Sequence, residues 1–68
     1  MPDFQIVTTD NQAHTEGHAY SHFKDLGYDS ARLQAYGYEG DYVVLCFEHG
    51  LQLSIPEHRI QHIATSAV

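Results

Sequence analysis

Regularly spaced histidines are the feature of this sequence that most suggests chemistry. His14, His18 and His22 recur every four residues, and His58 and His62 repeat that interval near the other end. On a helix, residues four apart share a face with Cβ atoms about 5 to 6 Å apart, so two imidazoles can hold one zinc ion. The spacing therefore makes His14, His18 and His22 a candidate zinc site.

The same histidines also fit a solvated helix face or an interface. No cysteine accompanies them, Gly17 interrupts the helical pattern, and neither spacing matches a zinc motif such as H-E-x-x-H. If the chain around His58 and His62 is a strand, their spacing spans roughly 13 Å. In a metal site, Glu16 would be a ligand or would act on a metal-bound water. We expect no cofactor, and zinc is the alternative.

Tyrosine is abundant, with five residues and no tryptophan. Tyr20 and Tyr28 are expected to pack around the end of a helix. The other three lie around one turn with two acids, and the group is Tyr36, Tyr38, Glu39, Asp41 and Tyr42. Tyrosine combines a broad contact area with a hydroxyl and is enriched at interfaces. This group is therefore predicted to bind a partner.

Residues for covalent or phosphate chemistry do not form a known motif. Cys46 lies in the middle of a predicted strand and is expected to face the core, where cysteine usually packs as a small apolar residue. No serine lies in a G-x-S-x-G elbow, and Gly37 and Gly40 precede a predicted strand instead of a phosphate-binding helix. We therefore expect a protein that is not an enzyme.

The charge balance is acidic. Nine carboxylates face three cations, Lys24, Arg32 and Arg59, which gives a formal net charge of −6. Affinity for a phosphate backbone comes from Lys and Arg, so direct binding to nucleic acid is not expected. A basic protein partner is expected instead. The nine acids are scattered, with no two adjacent, and also fit an ordinary solvated surface.

The chain length of 68 residues predicts a single domain, 1–68, that buries only about 60% of the surface exposed on unfolding. The single cysteine allows no intrachain disulfide and favours a reducing, cytoplasmic location. No apolar stretch approaches the roughly 20 residues that span a bilayer, and the first residues do not resemble a signal peptide. We expect a cytoplasmic protein without membrane contact, stabilised as a homo-oligomer.

The first half of the chain is predicted to form a strand and then a helix. The alternation over 4–9 is typical of a strand, and a turn follows it. Over 15–26, apolar side chains occur at helical spacing. Gly27 is placed to end this helix in a left-handed conformation, with Tyr28 folded back on Phe23.

The second half is predicted to be mostly strands. Residues 29–37 fit either a short helix or a strand, and we favour the strand because apolar and polar residues alternate. A hairpin follows, with strands at 42–48 and 51–55 joined by a two-residue turn. A final short strand is expected at 60–63, and 64–68 is expected to be a loose tail.

The hairpin register follows from a turn made of His49 and Gly50. It places Glu48 opposite Leu51, Cys46 opposite Leu53 and Val44 opposite Ile55. The other face of the hairpin then carries Val43, Leu45 and Phe47. A large apolar face is seldom left uncovered on a soluble monomer, so these three residues are predicted to pack on the helix or to mediate self-association.

This order of elements predicts an α+β fold that is mainly β. It would be a small antiparallel sheet or a partial barrel, with one short helix inserted after the first strand. The hairpin, the break at Pro56 and the closing strand resemble the end of an SH3-like or Sm-like barrel, over about a third of the chain. This resemblance implies assembly into rings, which Sm-like proteins commonly form.

The leading functional hypothesis is a non-enzymatic binding module. Its acidic, tyrosine-bearing surface would occupy a basic site on another protein, such as one that normally receives nucleic acid, as an inhibitor or adaptor. In size, acidity and lack of catalytic motifs, the chain resembles phage-encoded inhibitors of host defence such as anti-CRISPR proteins. That resemblance is one of overall profile and assigns no residues. The alternatives are a homo-oligomer that binds a nucleotide or metabolite, and a histidine-based metal-binding protein.

Overall fold

The computed structural model describes residues 2–66, and in that range the chain is mainly β, as predicted. The strands are β1 Phe4–Thr8, β2 Ala13–Thr15, β3 Ala19–Tyr20, β4 Ala31–Glu39, β5 Tyr42–Phe47, β6 Gln52–Pro56 and β7 Ile60–Thr65. Short 3₁₀ helices span Lys24–Leu26, Glu48–Gly50 and Glu57–Arg59. No helix in the described range is long and apolar enough to cross a membrane.

The strands form two antiparallel sheets, which confirms the predicted antiparallel pairing. One sheet has the order β2–β1–β7 and the other the order β3–β4–β5–β6. Gly17, with a φ of +86°, lies in the turn from β2 into β3. Its N–H donates to the Leu33 carbonyl of β4 at 2.8 Å. Strand pairing over residues 2–66 leaves the two sheets separate, so no closed barrel is formed.

One apolar core joins side chains from both sheets. Its buried members are Phe4, Ile6, Phe23, Ala31, Leu33, Val43, Leu45, Phe47 and Ile55. In β1 the buried residues alternate with partly exposed ones, because side chains two apart on a strand share a face. The two sheets are thus held against each other by a single set of contacts.

The β5–β6 hairpin has a different register from the predicted one. Its loop contains three residues, Glu48–Gly50, and the Phe47 N–H donates to the Leu51 carbonyl at 2.8 Å. The observed pairs are Val43 with Ile55, Val44 with Ser54, Leu45 with Leu53 and Cys46 with Gln52. A slip of one residue moves every side chain of a strand to the other face. The predicted assignment of faces is therefore wrong.

This register places Val43, Leu45 and Phe47 in the core of a single chain. Their side chains are 1%, 0% and 2% exposed. Leu53 and Ile55 lie opposite two of them, so the large apolar residues of both strands point to the same side. The predicted use of Val43, Leu45 and Phe47 for self-association is therefore wrong. The sequence predicts an uncovered apolar face only because it assumes a two-residue turn between β5 and β6.

The predicted helix over 15–26 is also wrong. Its first half contains the end of β2, a turn over 16–18 and β3, and within 15–26 the 3₁₀ turn Lys24–Leu26 is the only helical part. The φ of Gly17 lies outside the right-handed helical region, and most short helices need tertiary packing for stability. Gly27 does end the 3₁₀ turn in a left-handed conformation, with a φ of +94°, and the Tyr28 N–H donates to the Phe23 carbonyl.

Two predictions on the remaining strands are confirmed. Residues 29–37 fitted either a short helix or a strand, and most of them lie in β4, Ala31–Glu39. The predicted final strand is β7. Residues 64 and 65 pair with β1. The predicted loose tail over 64–68 is therefore wrong at these positions, while 67 and 68 lie outside the described residues.

Leu45→Ala is expected to lower the free energy of unfolding by about 2 to 5 kcal/mol, because it opens a cavity at a fully buried site. Leu26→Ala is the matched control: Leu26 is 66% exposed, and its truncation should cost less than about 0.5 kcal/mol. Chemical denaturation and size-exclusion chromatography of both variants test this. A Leu45→Ala variant that keeps its stability but changes its oligomeric state would contradict the core assignment.

Candidate functional site

The end of the β4–β5 hairpin carries the residues predicted to bind a partner. Gly40 and Asp41 form a two-residue loop, and Glu39 pairs with Tyr42 across it. Gly40 has a φ of +60°, which glycine adopts at little steric cost. A loop of this length holds the two strands in a fixed register. The hairpin tip consists of Tyr36, Tyr38, Glu39, Asp41 and Tyr42.

The tip residues are divided between the two faces of the hairpin. Tyr36 and Tyr38 lie opposite core residues of β5 and belong to the inner face. Glu39 and Tyr42 form the terminal pair on the outer face, and Asp41 lies in the loop between the strands. The predicted group is therefore one end of the hairpin with two sides, and its members do not share a single flat surface.

Tyr36 anchors the hairpin tip to the core. Its ring centroid lies 4.6 Å from that of Phe4, which is buried, and 6.1 Å from that of Tyr38. The three rings form a row from the core to the surface. Tyr36 is itself partly buried and packs against the core, so it connects the hairpin tip to the core.

Two aromatic side chains of the hairpin tip remain open to solvent. Tyr38 is 68% exposed and Tyr42 is 49% exposed. Glu39 and Asp41 beside them are exposed as well. The tip thus presents two phenol rings and two carboxylates on a hairpin that has a short loop and is packed against the core through Tyr36.

A third acid, Glu57, joins the tip and was missed by the sequence prediction. Its N–H donates to the Asp41 carbonyl at 2.8 Å, and the two residues line a cavity of about 390 Å³ with His58. Glu57 follows Pro56, which pairs with Tyr42. A three-residue loop between β5 and β6 would have placed residue 57 beside 41 from the sequence alone. The predicted two-residue turn places residue 57 opposite residue 42 instead.

An open cavity lies on the outer side of the tip. It has a volume of about 440 Å³ and is lined by Tyr42 and Glu39 together with Val44 and Ser54. Val44, which is 8% exposed, contributes an apolar surface beside the Glu39 carboxylate. This combination suits a side chain with an aliphatic stem and a cationic end, as in lysine or arginine.

Cys46 lies on the outer face of β5, where it pairs with Gln52 and is half-buried. The prediction that it faces the core is wrong. The one-residue difference in hairpin register accounts for this change as well.

Two of the three predicted metal ligands lie together. The Nε2 atoms of His14 and His22 are 3.2 Å apart, whereas His18 is exposed in the turn between β2 and β3. Among residues 2–66, no three His, Cys, Asp or Glu side chains are grouped to hold a metal ion. The predicted zinc site of His14, His18 and His22 is therefore wrong. The prediction depended on a helix, and this segment consists of strands and turns, where residues four apart do not share a helical face.

His14 is a buried imidazole with one unpaired nitrogen. The residue is 4% exposed, and its Nδ1 has no hydrogen-bond partner. A hydrogen bond between the two Nε2 atoms requires one ring to donate and the other to accept, so at least one ring must be neutral. Burial, followed by the charge of His22, lowers the pKa of His14, and Asp10 acts in the opposite direction. An unpaired buried nitrogen costs about 1 to 3 kcal/mol.

Aromatic rings surround the histidine pair. The Tyr20 ring is stacked on that of His22, with centroids 5.7 Å apart and planes within 5°. The Tyr20 hydroxyl accepts a hydrogen bond from the Thr15 N–H at 2.7 Å. Phe23 and Phe47 contact His22 edge-on. His14 and His22 therefore pack against the core at one edge, where they have a structural role.

Acidification is expected to destabilise the fold through His14. Above the ordinary histidine pKa of 6.5 the residue is neutral in both states. Below pH 6.5, His14 binds a proton in the unfolded chain but stays neutral in the folded chain. The free energy of unfolding therefore falls as the pH drops from 6.5 toward the lowered pKa of His14. Urea unfolding at about pH 7.5 and about pH 5.5 brackets this range.

The matched variants are His14→Gln and His18→Gln, because His18 is exposed. The loss of stability between the two pH values should be smaller in His14→Gln than in the wild type and unchanged in His18→Gln. Equal losses in all three proteins would contradict the assignment of His14 as the group that resists protonation.

The chain matches no protein-family model, no curated protein and no solved structure.

Proposed function

We propose that this chain is a non-enzymatic binding module that engages a basic protein partner through the hairpin tip, acting as an inhibitor or adaptor. The observation that carries the proposal is the exposure of Tyr38 and Tyr42, at 68% and 49%, beside the carboxylates of Glu39 and Asp41. Large aromatic side chains that remain open to solvent next to polar groups are typical of the residues that dominate protein interfaces.

The construction of the hairpin favours binding at low entropic cost. Gly40 and Asp41 form its two-residue loop. The Tyr36 ring packs against Phe4, and the Glu57 N–H donates a hydrogen bond to the Asp41 carbonyl. A side chain or loop that is already ordered loses less freedom when a partner binds. Tyr38 has only two side-chain torsions to fix. The tip is therefore suited to act as a rigid contact.

The charge of the tip favours a cationic partner. Glu39 and Asp41 lie at the end of the β4–β5 hairpin, Glu57 is bonded to Asp41, and the net charge of the whole chain is −6. Complementary charge speeds the encounter of two proteins and suppresses wrong partners. Lysine and arginine can also lie over the exposed faces of tyrosine rings. A protein surface that normally receives nucleic acid has this chemistry, and we infer that such a surface is the preferred partner.

We also infer that the two sheets curve toward a partial barrel of the SH3-like or Sm-like kind. The chain passes directly between the sheets at Gly17 and again at the 3₁₀ helix Glu57–Arg59. The Thr9 N–H donates to the Arg59 carbonyl at 2.8 Å, which fixes the second crossing to the end of β1.

Charge reversal at the tip is expected to abolish partner binding without unfolding the chain. The test variant is Glu39→Lys/Asp41→Lys, and the matched control is Asp25→Lys/Asp29→Lys, since all four carboxylates are exposed. Immobilised wild type and both variants are incubated with the same cell extract, and the captured proteins are quantified by mass spectrometry. The expected partner has a basic surface, is retained by the control and is lost from the tip variant.

The aromatic contribution is tested with the purified partner. Tyr38→Ala should weaken binding at least about 30-fold, the effect of an interface hot spot, while Leu26→Ala, which removes another exposed apolar side chain, should change it less than about threefold. Circular dichroism confirms that each variant is folded. A partner that binds the tip variants as tightly as the wild type would contradict the proposal.

A further inference from the structure

We propose that the cavity between the end of β1 and β6 is a binding site for a small zwitterion of the α-amino-acid type. The cavity has a volume of about 430 Å³ and receives residues from both sheets. This volume falls within the range of about 300 to 1,000 Å³ that is usual for small-ligand sites. The hairpin tip contributes none of its lining residues, so the inference is independent of the proposed function.

Two opposite charges face this cavity without neutralising each other by a hydrogen bond. The Asp10 carboxylate accepts the hydrogen bond of the Thr8 hydroxyl, and Arg59 acts on it through charge alone. The Thr8 hydroxyl is the main cause that lowers the pKa of Asp10, with the backbone N–H groups of Asp10 and Gln12 and the charge of Arg59 adding to it. The carboxylate is therefore ionised at neutral pH. It remains available to accept a further hydrogen bond.

The positions of these charges are fixed by the backbone. Asp10 lies in the turn after β1, where the Thr8 N–H donates to the Gln12 carbonyl at 2.9 Å. Arg59 ends the last 3₁₀ helix, and its carbonyl accepts the hydrogen bond of the Thr9 N–H at 2.8 Å. Two short segments from distant parts of the sequence are thereby held together. An anionic and a cationic group stand on a common rim.

Part of the cavity lining is apolar. Leu53 and Ile55 of β6 line it, and Ile55 is 9% exposed. The His14 ring adds a further surface, and its lowered pKa keeps that ring neutral at neutral pH. A ligand in the cavity can thus place an aliphatic group on Leu53 and Ile55 while its polar end remains at the charged rim.

These three features together select the ligand class. A simple anion would be attracted by Arg59 and repelled by Asp10, and a simple cation would meet the reverse. A molecule with an ammonium group, a carboxylate and an aliphatic side chain satisfies both charges and the apolar surface at once. Charge-assisted hydrogen bonds of this kind are roughly twice as strong as neutral ones. L-leucine is the simplest probe with all three groups.

The test compares leucine with two analogues that each lack one charge. Leucine, 4-methylpentanoate without the amine, and 3-methylbutylamine without the carboxylate are titrated into the isotope-labelled full chain, and the backbone amide resonances are followed by NMR. Leucine should shift the amides of Thr9, Gln12, Leu53 and Ile55. Each analogue should bind at least about tenfold more weakly.

Variants of the rim distinguish this site from non-specific binding. Asp10→Asn and Arg59→Gln should each weaken leucine binding at least about tenfold, whereas Asp25→Asn and Lys24→Gln, which change exposed charges away from the cavity, should leave it unchanged. Equal shifts from all three ligands, shifts confined to other residues, or no shift at the solubility limit of leucine would overturn the proposal. Variants of the hairpin tip should not alter leucine binding, so the two proposals fail separately.

Discussion

The three-residue loop Glu48–Gly50 decides which side chains of β5 and β6 point into the molecule. It places Leu45 opposite Leu53 and Val43 opposite Ile55, so the large apolar residues of both strands face the same side. A 68-residue chain has a small core and no intrachain disulfide to support it. Placing these four residues on one face lets a single chain bury three of them and partly bury Leu53. The rest of the structure depends on this register, because the remaining core residues pack against that face.

Local patterns predicted the strands well, and they failed where a distant contact decides the structure. Alternation and turn residues identified β1, β5, β6 and β7 correctly. The spacing over 15–26 fits a helix, and the contacts that exclude one come from distant strands: Thr15 pairs with Gln5 of β1, and β3 pairs with β4. The predicted turn of His49 and Gly50 is one residue shorter than the observed loop, Glu48–Gly50. The requirement that all large apolar side chains share one face would have chosen three residues over two.

The candidate site was predictable to the extent that its residues are neighbours in the chain. The five residues of the hairpin tip lie on or beside one two-residue loop, so they could be grouped from the sequence. Its division into two faces and the role of Tyr36 as an anchor depend on register and packing. Glu57 enters through a contact sixteen positions away along the chain, from Glu57 to Asp41, and that contact follows only from the correct register of β5 and β6. The predicted histidine zinc site failed for the same reason, because a spacing of four residues brings side chains together only on a helix.

The register of β5 and β6 is the central claim, and backbone nuclear Overhauser contacts across the hairpin test it most directly. The structure predicts cross-strand contacts that join Val44 to Ser54 and Cys46 to Gln52. Contacts that join Val44 to Ile55 and Cys46 to Leu53 would contradict it. They would mean that the loop has two residues and that Val43, Leu45 and Phe47 face away from the core.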